Sequence, residues 1–287
     1  MNKVQRVSSL RAAVSAARKD KKTVGFVPTM GNLHEGHLEL VRMAHRHSDF
    51  VVVSIYVNPT QFGEDEDLDN YPLTPDQDAR LLAEVGADLL FLPTQETMYP
   101  GGLDSPTSVV VPGLGELYCG QDRPVHFNGV TTVVSRLFNM VQPDVAVFGK
   151  KDYQQLTIIR RMVRDLAYPV EIVGVDTVRS QEGLALSSRN GYLTEKELEI
   201  APKLQQTLQS LAQQILNTSS EISDLEQSAI LQLEEAGFVP QYVNVCRQED
   251  LQSAVREDQE LVILAAASLG KARLIDNLEV SVKPLNE

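Results

Sequence analysis

Two histidines and two glycines fall within Pro28-Thr29-Met30-Gly31-Asn32-Leu33-His34-Glu35-Gly36-His37, where an apolar run gives way to a helical pattern. Val24-Gly25-Phe26-Val27 before them reads as a short buried strand, and Leu38, Leu40, Val41 and Ala44 after them recur at helical spacing. A strand that feeds a helix through a glycine turn gathers backbone N–H groups and the positive end of the helix dipole at one point, which suits a polyphosphate. His34 and His37 are three apart and share one face of that first turn. An imidazole there can donate to a phosphate oxygen and become cationic as charge builds on a leaving group. The zinc-protease pattern needs histidines four apart with Glu beside the first, so the spacing argues against a metal; each histidine alone also reads as a helix cap.

Three further stretches carry chemistry. Val57-Asn58-Pro59-Thr60-Gln61-Phe62 ends a β-branched run, so Gln61 is either an amide projecting into a ligand crevice or part of a strand-ending turn. Phe148-Gly149-Lys150-Lys151-Asp152-Tyr153-Gln154-Gln155 follows another apolar run; its glycine permits close backbone approach, and a lysine neutralises phosphate or is simply solvated. Leu186-Ser187-Ser188-Arg189-Asn190 offers two hydroxyls and a guanidinium fork matched to phosphate oxygens, or a helix-capping loop. Arg123 is a further anion candidate, with Tyr71 and His126 as wall residues.

These groups need a scaffold, and the pattern supplies one. Val24 to Val27, Phe50 to Val57, Asp88 to Leu92, Asp144 to Phe148 and Val170 to Val175 read as strands, the second buried on both faces. Pro75 to Val85 and Asn128 to Val141 read as helices, the latter with Val130, Val133, Val134, Leu137, Phe138 and Val141 in one stripe. The alternation predicts an α/β fold with a Rossmann-like, doubly wound parallel sheet that binds ligands at the carboxyl ends of its strands. No GxGxxG follows the first strand, and neither Gly149-Lys150 nor Gly270-Lys271 has P-loop spacing. Beyond Asn190, Thr194 to Leu216 and Glu221 to Ala236 read as helices, and Val239 to Cys246, Leu261 to Ala265 and Arg273 to Ile275 as short strands. Two domains are expected, residues 1–180 and a smaller α+β domain over 181–287 that closes over the nucleotide. The acidic run Glu64 to Asp69 reads as a solvated loop.

Composition sets bounds. A chain of 287 residues, 43% hydrophobic and 23% charged, is long enough for one large core or two smaller ones. A net charge of −13 argues against nucleic acid or an anionic membrane as partner, so phosphate must be met by a local basic site. Cys119 and Cys246 have no paired spacing, as expected in a reducing compartment. Met1 to Asp20 lacks an apolar signal core, and a cytoplasmic location is expected.

The motifs occur in an order and spacing that resembles the pantoate–β-alanine ligase family of the HxGH nucleotidyltransferase superfamily. The resemblance runs through essentially the whole chain, including Ala272-Arg273-Leu274-Ile275-Asp276-Asn277. It implies ATP as substrate with Mg2+, and condensation of pantoate with β-alanine to pantothenate, AMP and pyrophosphate through a pantoyl adenylate. It implies nucleotide contacts at Met30, Gly31, Asn32, Leu33, His34, Glu35, Gly36, His37, Gly149, Lys150, Lys151, Asp152, Val178, Leu186, Ser187, Ser188 and Arg189. Within that set His34, His37, Lys151 and Arg189 would be catalytic, with no protein ligand assigned to the metal. Pantoate would be held by Gln61 and Gln155, β-alanine by Gln61, and the enzyme would be a homodimer. Thr60 stands where many members of the family carry Met. Two other readings stay open: transfer of AMP or CMP to a phosphorylated acceptor, and a nonenzymatic nucleotide sensor.

Overall fold

The β-branched runs of the sequence line up side by side in one parallel sheet. In the computed structural model, which describes residues 1–63, 66 and 68–282, the first part of the chain runs as follows. Strand β1 (Asn2–Val4), helix α1 (Val7–Lys19), β2 (Val24–Thr29), α2 (Glu35–His47), β3 (Phe50–Ile55), α3 (Pro75–Glu84) and β4 (Leu89–Phe91) come first. Two short helices, α4 (Gln95–Met98) and α5 (Cys119–Asp122), precede α6 (His126–Val141), β5 (Val145–Gly149), α7 (Tyr153–Asp165) and β6 (Glu171–Val175). The sheet order is β1-β4-β3-β2-β5-β6, and every pairing is parallel. The winding reverses between β2 and β5, which opens a crevice at the carboxyl ends of those strands. The HxGH turn leaves β2 there, and Lys150 follows β5.

Two layers cover this sheet. Val27, Val41, Ala44, Val51, Val53, Leu82, Leu90 and Val147 form one continuous core cluster. Burying each large aliphatic side chain is worth about 1.5–3 kcal/mol, so the α2 stripe of Leu38, Val41 and Ala44 fixes which face of that helix meets the sheet. Elsewhere in this unit, Phe138 of α6 packs edge-on against Phe26, Phe148 and Tyr168, with centroids 5.7–6.4 Å apart. All six apolar positions of the α6 stripe are buried.

The chain divides into two units, Met1–Lys150 with Ile158–Asp176, and Lys151–Thr157 with Thr177–Glu287. The second unit holds α8 (Glu195–Ile200), α9 (Lys203–Asn217), α10 (Ile222–Glu235), β7 (Val239–Arg247), β8 (Glu260–Leu269) and β9 (Ala272–Ser281). Its strands form an antiparallel sheet in the order β7-β8-β9, with Leu204, Leu208, Leu211, Ile215, Leu225 and Leu233 packed into its core. The first turn of α7 belongs to this unit.

Three local expectations are corrected. The helix read over Thr194 to Leu216 is broken into α8 and α9 at Ala201-Pro202, because proline has no N–H to continue the ladder. The strands read as Leu261 to Ala265 and Arg273 to Ile275 are each ten residues long, joined through Gly270 and Lys271. Within the acidic run, Glu66 is not solvated: its carboxylate takes a fork of hydrogen bonds from Arg123 at 2.6 Å each. Glu64, Asp65 and Asp67 lie outside the described residues.

Candidate active site

The HxGH turn is held by its own histidines. His34 is the N-cap of α2, and its Nδ1 accepts from the Gly36 N–H at 3.1 Å; His37 Nδ1 accepts from the His34 N–H at 3.3 Å. The pair is a reciprocal capping box built from imidazoles, with ring centroids 4.2 Å apart. The tautomer follows from these bonds: a neutral ring that accepts at Nδ1 carries its proton on Nε2, so Nε2–H is its donor. Gly36 is required because a Cβ there would lie 2.9 Å from His34 Cε1, where the ring folds back over the backbone. The carboxylate of Glu35 is engaged by Arg42, one of the bonds that raise the Arg42 pKa.

The backbone donors of this turn are mostly used within the protein, contrary to the sequence expectation. Asp78 of α3, only 1% exposed, accepts from the N–H groups of Asn32 and Leu33 at 3.0 and 2.9 Å and from Thr74 Oγ1 at 3.0 Å. Gly31 and Asn32 adopt left-handed backbone there, with φ of 87° and 50°. Nothing in the spacing pointed to Asp78, since an Asp in the first turn of a helix reads as an ordinary cap.

Gln61 sits on a buried polar platform. It lies in the single helical turn Pro59–Gln61 and is 7% exposed. Its Oε1 accepts from Asn58 Nδ2 at 3.2 Å, and its Nε2 donates to Met30 Sδ at 3.0 Å, which links it to the HxGH turn. Asn58 Nδ2 also reaches the Gly129 carbonyl at 3.1 Å, and a Cβ on Gly129 would lie 2.3 Å from the Thr60 carbonyl, so only glycine lets α6 approach this turn. Tyr99 donates to Asn58 Oδ1 at 2.7 Å; burial pushes its phenol pKa up and keeps it a donor. The Thr60 hydroxyl joins the same network, bonding to Asn58 Oδ1 and Tyr99 at 3.1 Å each. His126 Nδ1 lies 2.9 Å from the Gln61 carbonyl. Arg123, the further anion candidate, is instead engaged by Glu66.

The first unit thus carries Met30 to His37, Gln61, Gly149 and Lys150, and the Lys150 ammonium lies 2.9 Å from Asp176. The second carries Lys151, Asp152, Gln155, Val178, Leu186, Ser187, Ser188 and Arg189. Lys151 is anchored through its carbonyl, which accepts from Asn277 Nδ2 of β9 at 2.9 Å, and Tyr153 OH donates to Glu279 at 3.1 Å. Asp276 beside Asn277 is fork-bonded by Arg179 at 2.6 and 2.8 Å. The Leu186 N–H donates to the Val178 carbonyl at 2.9 Å, which brings those two candidates together. Ser187 opens a second capping box: its hydroxyl accepts from the Arg189 N–H at 3.3 Å, and its own N–H donates to Asn190 Oδ1. Lys151 and Ser187 line one small recess with Gln205, Arg273 and Asp276. The anchoring bonds of Asn277 and Arg179 could not be read from the sequence, because isolated polar residues carry no periodic signal.

A doubly wound sheet with a histidine-capped HxGH turn at its switch point defines a nucleotide-binding α/β protein of the HxGH class. The Pantoate-beta-alanine ligase family profile matches residues 2–279, and the chain belongs to that family. A pantothenate synthetase of Pseudomonas fluorescens is 54% identical over 282 residues, covering 98% of this chain and 99% of that one. The crystal structure of pantothenate synthetase from Thermus thermophilus superposes with a TM-score of 0.91 at 46% identity, covering 98% of this chain and all of the other. A Francisella tularensis pantoate-beta-alanine ligase, described as complexed with beta-gamma ATP and beta-alanine, gives 0.79 at 33% identity, covering 97% of each chain. The chain is therefore an ATP-using ligase that joins pantoate to β-alanine, which sets aside the nucleotidyl-transfer and sensor readings. Among the described residues no helix is long and apolar enough to cross a membrane.

Proposed function

We propose that the ligation runs through an enzyme-bound pantoyl adenylate. A pantoate carboxylate oxygen attacks the α-phosphorus of ATP, and the bond to pyrophosphate breaks with its electrons leaving on pyrophosphate. The β-alanine amine then attacks the acyl carbon, loses a proton, and expels AMP. A carboxylate approaching a polyphosphate meets charge repulsion, so the protein's work is alignment and neutralisation. His34 and His37 donate through Nε2, Lys151 and Arg189 supply cations, and Ser187 and Ser188 supply hydroxyls, all to one ATP. Met30 to His37, Gly149 to Asp152, Val178 and Leu186 complete its contacts. Gln61 and Gln155 hold pantoate, and Gln61 also meets β-alanine.

The observation that carries this reading is the histidine capping box, because it points the protonated nitrogen of each ring away from the bonds that hold the turn. The 3.0 Å bond from Gln61 to Met30 sets the residue proposed to hold pantoate beside that turn. Mg2+ would enter on the nucleotide phosphates and there offset their charge. The smaller domain closes over ATP and keeps water from the adenylate. The enzyme works as a homodimer in the cytoplasm.

Protein, Mg-ATP and pantoate are mixed, β-alanine is added second, and pyrophosphate and AMP are followed in time. Pyrophosphate that requires pantoate, and efficient AMP release that requires the amine, are the expected results. Pyrophosphate formed only after β-alanine is added would remove the adenylate.

A further inference from the structure

We propose that Asp78 is a positioning residue for nucleotide activation: its buried carboxylate holds the Asn32 and Leu33 peptides so that His34 and His37 meet the polyphosphate through Nε2. This rests on the proposed role of the two histidines. A carboxylate 1% exposed persists only where donors replace its lost water, and three do so here: the N–H groups of Asn32 and Leu33 and the Thr74 hydroxyl, at 2.9–3.0 Å. Two of the three come from a loop 45 and 46 residues away in sequence, so the group does far more than cap its own helix. Consecutive backbone N–H groups in such a turn form the kind of concavity that binds anions. Here the protein supplies the anion itself, so those two donors are closed to ATP and the rings become its partners.

The mechanical link is short. The Leu33 peptide adjoins His34, whose N–H is the donor to His37 Nδ1, while His34 Nδ1 accepts from Gly36. Gly31 and Asn32, at φ 87° and 50°, are the two left-handed residues that turn the chain into this arrangement, and a Cβ on Gly31 would lie 3.0 Å from Asp78 Oδ2. Without the carboxylate the bonds that hold the Asn32 and Leu33 peptides are lost, and the backbone leading into the His34 and His37 cap is loosened. A displacement of about 1 Å in a group that must be aligned can cost about a hundredfold in rate.

Asp78→Asn keeps the shape but places an NH2 against a backbone N–H. The expected result is a fall of about tenfold or more in kcat/KM for ATP in pantoate-dependent pyrophosphate release, with KM for pantoate within about twofold. Imidazole 15N spectra add a signature that lowered stability alone does not move: His34 and His37 shift from the Nε2–H form toward a mixture, while His45 and His47 stay as they were. A variant with a lower Tm but unchanged ATP kinetics and unchanged imidazole signals would overturn the proposal. Should Asp78→Asn fail to fold, Thr74→Val decides the matter, since it removes one donor only: a smaller change of the same kind supports the role, and none overturns it. His37→Ala separates the two levels. Normal pyrophosphate release by that variant sinks the underlying histidine reading, whereas a crippled His37→Ala beside unaffected Asp78 and Thr74 variants sinks only the role of Asp78.

Discussion

Two loops open helical turns with the same reciprocal cap, yet they are built differently. In the first unit His34 and His37 cap α2, and the turn is braced from outside by buried Asp78. In the second, Ser187 and Asn190 cap the turn Ser188–Tyr192 with bonds that stay within the loop, and Leu186 to Asn190 are all half-buried. Both devices orient a side chain by making it finish the backbone's hydrogen bonding. The first turn is reached by a carboxylate from another helix, whereas the cap of the second is made by residues 187, 189 and 190 of the loop itself.

The comparison is broken most sharply at the imidazoles. His37→Ala should slow pyrophosphate formation by about a hundredfold or more, the usual loss when one preorganised donor is removed, while Tm stays near that of the parent. Gly36→Ala should come next, because its Cβ would push against the ring of His34 at 2.9 Å; a loss of about tenfold in kcat/KM for ATP is expected from misalignment alone. Ser187→Ala should cost less in the chemical step and more in KM for ATP, about tenfold if one charge-assisted hydrogen bond of about 1.5 kcal/mol is lost. An unchanged KM with a small drop in Tm would reduce Ser187 to a cap.

The smallest effect is a pH dependence that leaves both loops alone. Burial raises the Glu66 pKa, but the bonds and charge of Arg123, with lesser help from His126 and the Gly63 backbone, together outweigh it and hold the carboxyl below its ordinary 4.5. A lowered pKa stabilises the fold above the unfolded value and is lost as pH falls through the lowered one. Acid titration of the parent against Arg123→Ala should therefore show the two Tm curves converging below that pKa. Because the pair is partly exposed, their separation at neutral pH should correspond to about 1 kcal/mol or less.

The sheet was legible because β3 is nearly all β-branched and fully buried at Val51, Val52 and Val53, a signal that survives without any neighbour. The HxGH turn was legible for a similar reason: its residues are adjacent in sequence. The bonds that position it were not. Asp78 lies 44 residues from His34, and the Asn58, Thr60 and Tyr99 network brings together residues from the end of β3 and from just beyond α4. Thr60 shows the limit well, since the sequence resemblance gave it only as a departure from the family's pattern, while the structure gives its hydroxyl two partners at 3.1 Å. In β9, Asp276 and Asn277 interrupted the apolar pattern because they are spent on Arg179 and on the Lys151 carbonyl.

The allotment of Lys151–Thr157 to the second unit bears on how such a protein can be taken apart. The chain leaves the first unit at Lys150, returns at Ile158 and leaves again after Asp176, so no single cut yields both units whole. A fragment starting at Thr177 keeps Ser187 and Arg189 but forfeits Lys151, and one stopping at Asp176 keeps Lys151 while stripping it of Asn277. Recombination that swaps whole modules at one crossover would scatter the cations that this chain keeps together, so the two units are bound to be inherited as a pair.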